Sequence, residues 1–367
     1  MNQYNRVVII GNGFDKAAGL KTSYKDFIDY YIKNAVGYFF SENEYDSELL
    51  SIREVKVNYR EPLMDRLKAL ENKESAIAAL KFIEGVSKIT YKHTYFEEII
   101  KNNNERWVDI EQYYFDKLMS IYNLRGHGNS IAHKVSRIKQ LNSFMDILTF
   151  KLNDYISYID SNAKISYSNS PLSSLIEKSQ TSLSNEISSL VTRHSRIEDP
   201  NNVIFLNFNY TNTVRSLTNN SFVKPNIKHI NIHGQINNSN NPIIFGYGDD
   251  TNESYYKLEY EDNNELIRKI KSFQYPRTRN YHHLLNILES KEFDVFIVGH
   301  SCGLSDRTLL KTIFEHNNCL AIQNFHYKGE SDDFNKRMQI SRHFSDKALM
   351  RERVLPFDSN ATIPQTQ

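Results

Sequence analysis

The sequence predicts an α/β fold, with a mainly parallel sheet and a large helical insertion. Three observations carry this. First, four short apolar runs each stop at a polar cluster. Val7-Val8-Ile9-Ile10 runs into Gly11-Asn12-Gly13-Phe14-Asp15, and Val203-Ile204-Phe205-Leu206 into Asn207-Phe208-Asn209-Tyr210-Thr211. His229-Ile230-Asn231-Ile232 runs into His233-Gly234, and Val295-Phe296-Ile297-Val298 into Gly299-His300-Ser301. Such runs read as strands buried on both faces, the habit of parallel sheets. Second, the stretch from about 35 to 200 keeps a helical period almost throughout. Third, strand signals return only after Pro200. Ligands of open α/β sheets bind at the carboxyl ends of the strands, so the four clusters are expected to share one crevice.

In chain order, residues 6–10 read as the first strand and Gly11-Asn12-Gly13 as a tight turn. Asp15 to about Asn34 reads as a helix, because Tyr24, Phe27, Ile28 and Tyr31 keep helical spacing. Within the insertion the clearest stripe is Leu141, Phe144, Met145, Leu148, Leu152, Tyr155, Ile156 and Ile159, too apolar to face water. Residues 125–130 look like a helix–helix turn, and the Ser- and Asn-rich 161–185 like a loop. Further strands are expected at 203–208, 228–233, 243–246, 295–299 and 319–324, with helices at about 261–273, 278–290 and 306–316. The expected organisation is a nucleotide-binding core of 1–34 and 200–327, a helical insertion at 35–199, and a tail at 328–367 with a helix near 331–350.

Composition narrows the function classes. The 367 residues are enough for two or three packed units, and 40% hydrophobic residues suit a soluble protein. No apolar stretch approaches the roughly 20 residues of a membrane span, and the N-terminus lacks the apolar segment of a signal peptide. Two cysteines, Cys302 and Cys319, cannot form a disulfide framework or a four-cysteine zinc site. A cytoplasmic location is therefore expected. The net charge of +1 gives no global attraction to nucleic acid or anionic lipid.

Each cluster carries its own chemistry. Gly11-Asn12-Gly13 follows a strand and opens a helix, the context of a phosphate-binding turn. Lys16 stands where the third glycine of a dinucleotide fingerprint would be, so a plain strand-to-helix turn stays open. Asn207 and Asn209 share one face of their strand by period-2 alternation. Buried amides need partners, either neighbouring loops or a ligand hydroxyl or water. His233 ends its strand before Gly234, where an imidazole near neutrality suits a general base; a structural histidine is the other reading. Gly299-His300-Ser301-Cys302-Gly303 fits a nucleophile elbow, G-x-S-x-G between strand and helix. Its acid, Asp306, comes only five residues after Ser301, and Ser305 or Asp306 is also the natural N-cap of the next helix. Asp109 and Glu111 read as helix-terminus residues, with a metal site as the other reading.

Taken together, these motifs resemble the AbiH family of bacteriophage abortive-infection proteins. The resemblance rests on Gly11-Asn12-Gly13-Phe14-Asp15, Gly19-Leu20-x-Thr22-Ser23-Tyr24, Trp107-x-Asp109-x-Glu111 and Phe208-Asn209-Tyr210-Thr211-x-Thr213. Ile232-His233-Gly234, Ile244-Phe245-Gly246-x-Gly248-Asp249 and Gly299-His300-Ser301-x-Gly303-x-Ser305-Asp306 complete it, with Cys302 where leucine is usual. A more distant likeness is to the NAD-binding core of the sirtuins. There Gly11 and Gly13 match the Gly-Ala-Gly turn, Asn209 the strand-end Asn, His233-Gly234 the His-Gly, and Gly299 and Ser301 the Gly-Thr-Ser. Asn12 replaces the small residue of the turn, Thr211 stands where Asp would be, and the four zinc cysteines are missing. The missing cysteines argue against protein deacylation.

What the resemblance implies is an anti-phage protein that hydrolyses NAD⁺ at the nicotinamide–ribose bond, with no metal. Asn209 and His233 would be catalytic, His233 as general base and Asn209 on the ribose hydroxyls or the water. Gly11, Asn12, Gly13, Asp15, Thr22, Asn207, Gly234, Gly299, His300 and Ser301 would bind the nucleotide, the glycine turn at the pyrophosphate and His300 and Ser301 on the adenosine side. Expected partners are NAD⁺ itself and a phage-derived trigger, a partner defence protein or a second copy of the chain, with no membrane and no nucleic acid. Two rivals stand: a metal-dependent nuclease or hydrolase using Asp109, Glu111, Asp249 and His300, and a non-catalytic nucleotide sensor.

Overall fold

The structure, a computed structural model, describes residues 4–365 except 43, 56–79, 82, 86, 102–106, 126–129, 192–198, 220–225 and 249–252. Two compact units emerge, one of Met1–Lys21 with Ile156–Gln367 and one of Thr22–Tyr155.

The first unit is built on a five-stranded parallel sheet. Its strands are β1 (Asn5–Ile10), β5 (Asn202–Asn207), β6 (Ile227–Asn231), β7 (Phe293–Val298) and β8 (Cys319–Phe325). They lie in the order β6-β5-β1-β7-β8. The α/β reading with a parallel sheet therefore holds. The chain leaves central β1 for β5 and β6 on one side, then crosses to β7 and β8 on the other. This doubly wound order puts a topological switch point between β1 and β7. Register aligns the carboxyl ends: Ile10 pairs with Asn207 and with Val298, Asn207 with Asn231, and Val298 with Phe325. All four polar clusters thus leave the sheet along one edge.

Alternation splits the core into two layers. Val8, Ile10, Phe205, Phe296 and Val298 pack with Phe14, Ala17, Leu172 and Ile176 on one face. Val7, Ile9, Leu206, Val295 and Ile297 pack with Leu284, Leu288, Leu309 and Ile313 on the other. Covering both faces explains why these strands read as unbroken apolar runs. At the opposite, amino-terminal end, Arg6 pairs with Asp294 at 2.7 Å, both buried, and its guanidinium lies 3.9 Å from the centre of the Phe296 ring. Arg6 also donates to the Ser179 carbonyl at 3.1 Å, so one buried cation ties the sheet to the chain that precedes β5.

Several elements differ from the sequence reading. The stretch 243–246 is not a sheet strand: its Ile244 N–H donates to the His233 carbonyl at 2.8 Å, and the segment is loop. The first helix is broken into Asn12–Ala17 and Tyr24–Glu42, because Gly19 takes φ +82° between them. The stretch 261–273 holds only a short turn of helix at Asn264–Leu266 and the start of Lys271–Gln274, while another helix, Glu253–Glu259, precedes it. The tail helix is also double, Glu330–Ser341 and Lys347–Arg353, the second capped by the Asp346 carboxylate.

The second unit contains the helices Tyr24–Glu42, Thr94–Lys101 and Trp107–Tyr122 and the first three-quarters of Ile131–Asn162. It also contains an antiparallel sheet of β2 (Glu44–Asp46), β3 (Leu50–Val55) and β4 (Ser87–Tyr91). The expectation of an all-helical insertion is corrected by this sheet. Its strands are three to six residues long, too short to interrupt a helical period over a longer window. The apolar stripe of Leu141, Phe144, Met145, Leu148, Leu152 and Tyr155 is buried, as expected. The turn expected at 125–130 falls largely on 126–129, outside the described residues.

Two glycines test how tightly the switch point is packed. Gly299 and Gly329 both have positive φ, +68° and +78°. A Cβ on Gly299 would lie 2.3 Å from the Phe14 nitrogen, whereas one on Gly329 would meet nothing within 4 Å. Gly329→Ala should cost roughly 1–3 kcal/mol from backbone strain alone, because φ +78° with ψ −154° is a conformation essentially reserved for glycine. Gly299→Ala adds overpacking and should cost roughly 3 kcal/mol or more. Chemical denaturation of the two variants checks this, and equal losses would contradict it.

Candidate active site at the carboxyl edge of the sheet

At the switch point the two glycine turns lock together. Gly11 N–H donates to the Val298 carbonyl at 3.1 Å and Gly13 N–H to the Gly299 carbonyl at 2.8 Å. A Cβ on Gly11 would sit 2.4 Å from His300 Cα. The glycines therefore permit backbone approach between β1 and β7, and both glycine N–H groups are already engaged inside the fold. Asn12 is half-buried at the same turn. The asparagines after β5 are engaged too. Asn209 donates its amide to the Gly11 carbonyl at 3.0 Å and its backbone N–H to Asn207 Oδ1 at 3.0 Å. Asn207 donates to the Thr211 carbonyl at 3.3 Å and to Asn231 Oδ1 at 3.4 Å. Of the two readings of these amides, pairing with neighbouring loops is the one the geometry displays.

Behind the turn lies Asp15, 1% exposed. Its Oδ2 accepts from the Thr211 hydroxyl at 2.8 Å, and Thr213 donates to Thr211 at 3.1 Å. Its Oδ1 is buried as well. Burial raises the Asp15 carboxyl to about 7, against the pull of Thr211, Thr213 and Asn209.

The second group of polar side chains surrounds Asp306. This residue precedes the helix Arg307–Phe314, but its carboxylate makes no capping bond to that helix. It turns inward instead. Oδ1 lies 2.7 Å from Lys271 Nζ and 3.2 Å from His233 Nε2, and Oδ2 lies 3.5 Å from His300 Nε2. All four residues are buried, Lys271 completely. Burial would raise the Asp306 carboxyl, but Lys271 and His233 hold it well below the carboxylate range. Burial, with Lys271 beside it, lowers His233 to about 4 despite Asp306, so its ring is neutral at pH 7. A carboxylate against Nε2 places the proton there and leaves Nδ1 as the basic nitrogen. Phe208 packs edge-on to the His233 ring at 4.8 Å between centroids, and Tyr275 stacks on it at 6.3 Å.

His300 is subject to opposed influences. Burial lowers it, while Asp306 and Cys302 raise it further, to about 9. Its Nδ1, however, accepts the Cys302 N–H at 3.0 Å, which a second ring proton would have to displace. We therefore take the ring as neutral and protonated on Nε2. Lys336 donates to the His300 carbonyl at 2.6 Å and His343 to the Cys302 carbonyl at 2.9 Å, so the tail fixes this loop. The strained position of a nucleophile elbow belongs to the nucleophile. Here positive φ, +53°, falls on buried Cys302, and Ser301 is exposed.

The structure thus brings together Gly11, Gly13, Asn207, Asn209, Asp15, His233, Gly234, Gly299, His300 and Ser301 along one edge. Thr22 is buried in the other unit, as is Glu111. Asp249 of the metal reading lies outside the described residues. Among the described residues no group of three or more His, Cys, Asp or Glu is arranged to hold a metal ion, and Lys271 takes the cation's place on Asp306. Lys271 and Tyr275 were not legible as site residues, and Asp306 was legible only as an acid of the wrong kind, a cap or a triad member.

Asp15 should leave a signature in stability. Its folded value, about 7, lies above the unfolded 3.8, so the native state holds the proton more tightly. Its contribution is fully present below about pH 4 and is lost as pH rises through 7, by up to about 4 kcal/mol. Asp15→Asn should flatten the fall in stability between pH 4 and 8 relative to wild type, read from urea midpoints. Parallel curves for the two proteins would contradict the assignment.

No curated protein matches the chain. A sequence profile described as Bacteriophage abortive infection AbiH matches residues 7–327, from Val7 in β1 through Tyr327 after β8, and so takes in both polar groups of the edge, with Lys336 and His343 of the tail outside it. The chain belongs to the AbiH family of bacteriophage abortive-infection proteins.

Proposed function

We propose that this abortive-infection protein acts by hydrolysing NAD⁺ at the nicotinamide–ribose bond, with His233 as general base. The observation that carries the reading is the His233–Asp306–Lys271 relay at the carboxyl edge of a doubly wound sheet, where nucleotides bind in such folds. A relay in which a carboxylate orients an imidazole is the arrangement general-base catalysis needs.

The chemistry asks little of the protein. The C–N bond to nicotinamide breaks with its electron pair leaving on the nicotinamide nitrogen, which becomes neutral. Water adds to the oxocarbenium-like carbon and gives its proton to His233 Nδ1. Asp306 stabilises the resulting imidazolium, and Lys271 keeps Asp306 ionised and in place. Loss of NAD⁺ would halt the infected cell, and a trigger supplied during infection would keep the resting protein harmless. Asn209 enters as a positioning residue that ties the β5 loop to the Gly11 turn.

His233→Ala should lower NAD⁺ turnover by roughly 10²–10⁴-fold, measured below a melting temperature that also falls because Asp306 loses a buried partner. The wild-type rate should be flat from pH 5 to 8 and fall only as pH drops through about 4, where His233 takes up a proton and ceases to be a base. Asn209→Ala should lose melting temperature along with activity, because it leaves the buried Gly11 carbonyl without this donor. The assay follows NAD⁺, with DNA and RNA run in parallel with and without divalent metal. Cleavage of nucleic acid with NAD⁺ untouched, in purified protein and in phage-infected cells, would overturn the proposal.

A further inference from the structure

The turn after β7 contains a conformation that a cysteine does not adopt unaided. Cys302 has φ +53°, in the left-handed region, and is buried. A residue other than glycine keeps that conformation only where its surroundings over-determine it. Three contacts do so here. The side chain belongs to the apolar layer of Ile297, Leu309 and Ile313. The N–H donates to His300 Nδ1 at 3.0 Å. The carbonyl accepts from His343 Nε2 at 2.9 Å. The turn is also held at its start, where the His300 carbonyl accepts from Lys336 Nζ at 2.6 Å. Both outside donors come from the chain beyond Tyr327, where the family match ends. Lys336 lies on the helix Glu330–Ser341, and His343 between it and the helix Lys347–Arg353. The His343 ring is fully buried, edge-on to Phe314 at 5.9 Å between centroids. Burial lowers it to about 4, so it is neutral at pH 7. A carbonyl can only accept, so the single ring proton sits on Nε2. Lys336 is half-buried, and its ammonium makes the stronger, charge-assisted kind of hydrogen bond.

We propose that Lys336 and His343 are positioning residues of the Asp306 relay, acting through the His300–Cys302 turn. The path is a continuous chain of contacts. The two tail donors hold the two carbonyls. The backbone so held aims the Cys302 N–H at His300 Nδ1. That bond fixes the ring with its Nε2 toward Asp306 Oδ2, 3.5 Å away, while Oδ1 of the same carboxylate faces His233 Nε2 at 3.2 Å. A carboxylate divides its charge among its donors, so what His300 takes at Oδ2 is withheld from His233 at Oδ1. The tail therefore sets how basic His233 is without touching it. Releasing the turn withdraws His300 and leaves Asp306 a stronger partner for protonated His233. The ring then rises from its value of about 4. Lys271, which opposes protonation of His233, and Tyr275, which stacks on it, come from a different element. The role deepens the proposed function and rests on its reading of His233 and Asp306 as the working relay.

The test is a pH titration followed by nitrogen NMR of imidazole-labelled protein, in wild type, Lys336→Met, Lys336→Arg, His343→Leu and Asp346→Ala. Lys336→Met keeps the length of the side chain and removes its donor. The His233 titration should move up by roughly one unit in Lys336→Met and in His343→Leu. Lys336→Arg, which can still donate, should return it toward the wild-type value. Asp346→Ala is the control for general damage to the tail. It removes the cap of the helix Lys347–Arg353, where Asp346 accepts from the Ala348 N–H at 2.7 Å. It should lower the melting temperature and leave the His233 titration where it is. Lys336 is only half-buried, so Lys336→Met decides the matter should His343→Leu fail to fold. None of this needs turnover, so a wild type that leaves NAD⁺ untouched would remove the reaction and leave the positioning role to stand or fall by the titration. An unchanged His233 titration in Lys336→Met would overturn the proposal. An equal shift in Asp346→Ala would also overturn it, because the effect would then belong to tail packing at large. So would a shift in Lys336→Arg as large as in Lys336→Met, because donation to the His300 carbonyl would then not be what matters.

Discussion

One buried carboxylate organises the functional edge. Asp306 sits among Lys271, His233 and His300 with almost no contact with water, and removing such a charge from solvent costs several kcal/mol unless partners compensate. The compensation comes from segments far apart in the sequence: the end of β6, the start of Lys271–Gln274 and the loop after β7. Each is held where it is because Asp306 needs it there. The same demand fixes function, because it orients the His233 imidazole and keeps its Nε2 occupied. Breaking a buried pair by removing one member costs more than the pair contributes, since a lone charge remains. A shift of any of these segments is therefore felt at His233.

The glycine interlock between β1 and β7 supplies the second constraint. Hydrogen bonds from Gly11 and Gly13 to Val298 and Gly299 close the switch point with backbone alone. Polar side chains then line both flanks, Asp15 with Thr211 on one and the Asp306 group on the other. Phe208 belongs to the apolar layer beneath the second flank and packs on both His233 and His300, with ring centres 4.8 and 4.3 Å apart. Its contacts help bury the His233 ring, and burial is the main cause of that ring's low value. Dry walls around ionisable groups are what make their mutual interactions strong.

Much of this was legible in the sequence, for definable reasons. β1, β5, β6, β7 and β8 are buried on both faces, so their apolar runs are short, unbroken and bounded by polar residues. Ile243-Ile244-Phe245 looked the same but buries against a loop and His233 rather than pairing in the sheet. The antiparallel strands near Leu50 and Ser87 were too short to register against a helical background. His233 could be read because a histidine at a strand end is distinctive. Lys271 could not, since a lysine in a polar helical stretch normally faces water and nothing local marks it as fully buried. Asp306 illustrates the limit most clearly. An acid immediately before a helix has the same local signature whether it caps the helix or turns away to hold a buried cation, and only the three-dimensional partners decide.

The most direct test of this arrangement is the protonation state of His233, observed by nitrogen NMR of imidazole-labelled protein with His233→Gln to assign the resonance. The expected result is a neutral ring carrying its proton on Nε2 from pH 5 to 8, with titration only near pH 4. A ring protonated on Nδ1, or one that titrates near 6.5 as a solvated histidine does, would contradict the Asp306 relay and with it the assignment of His233 as the base.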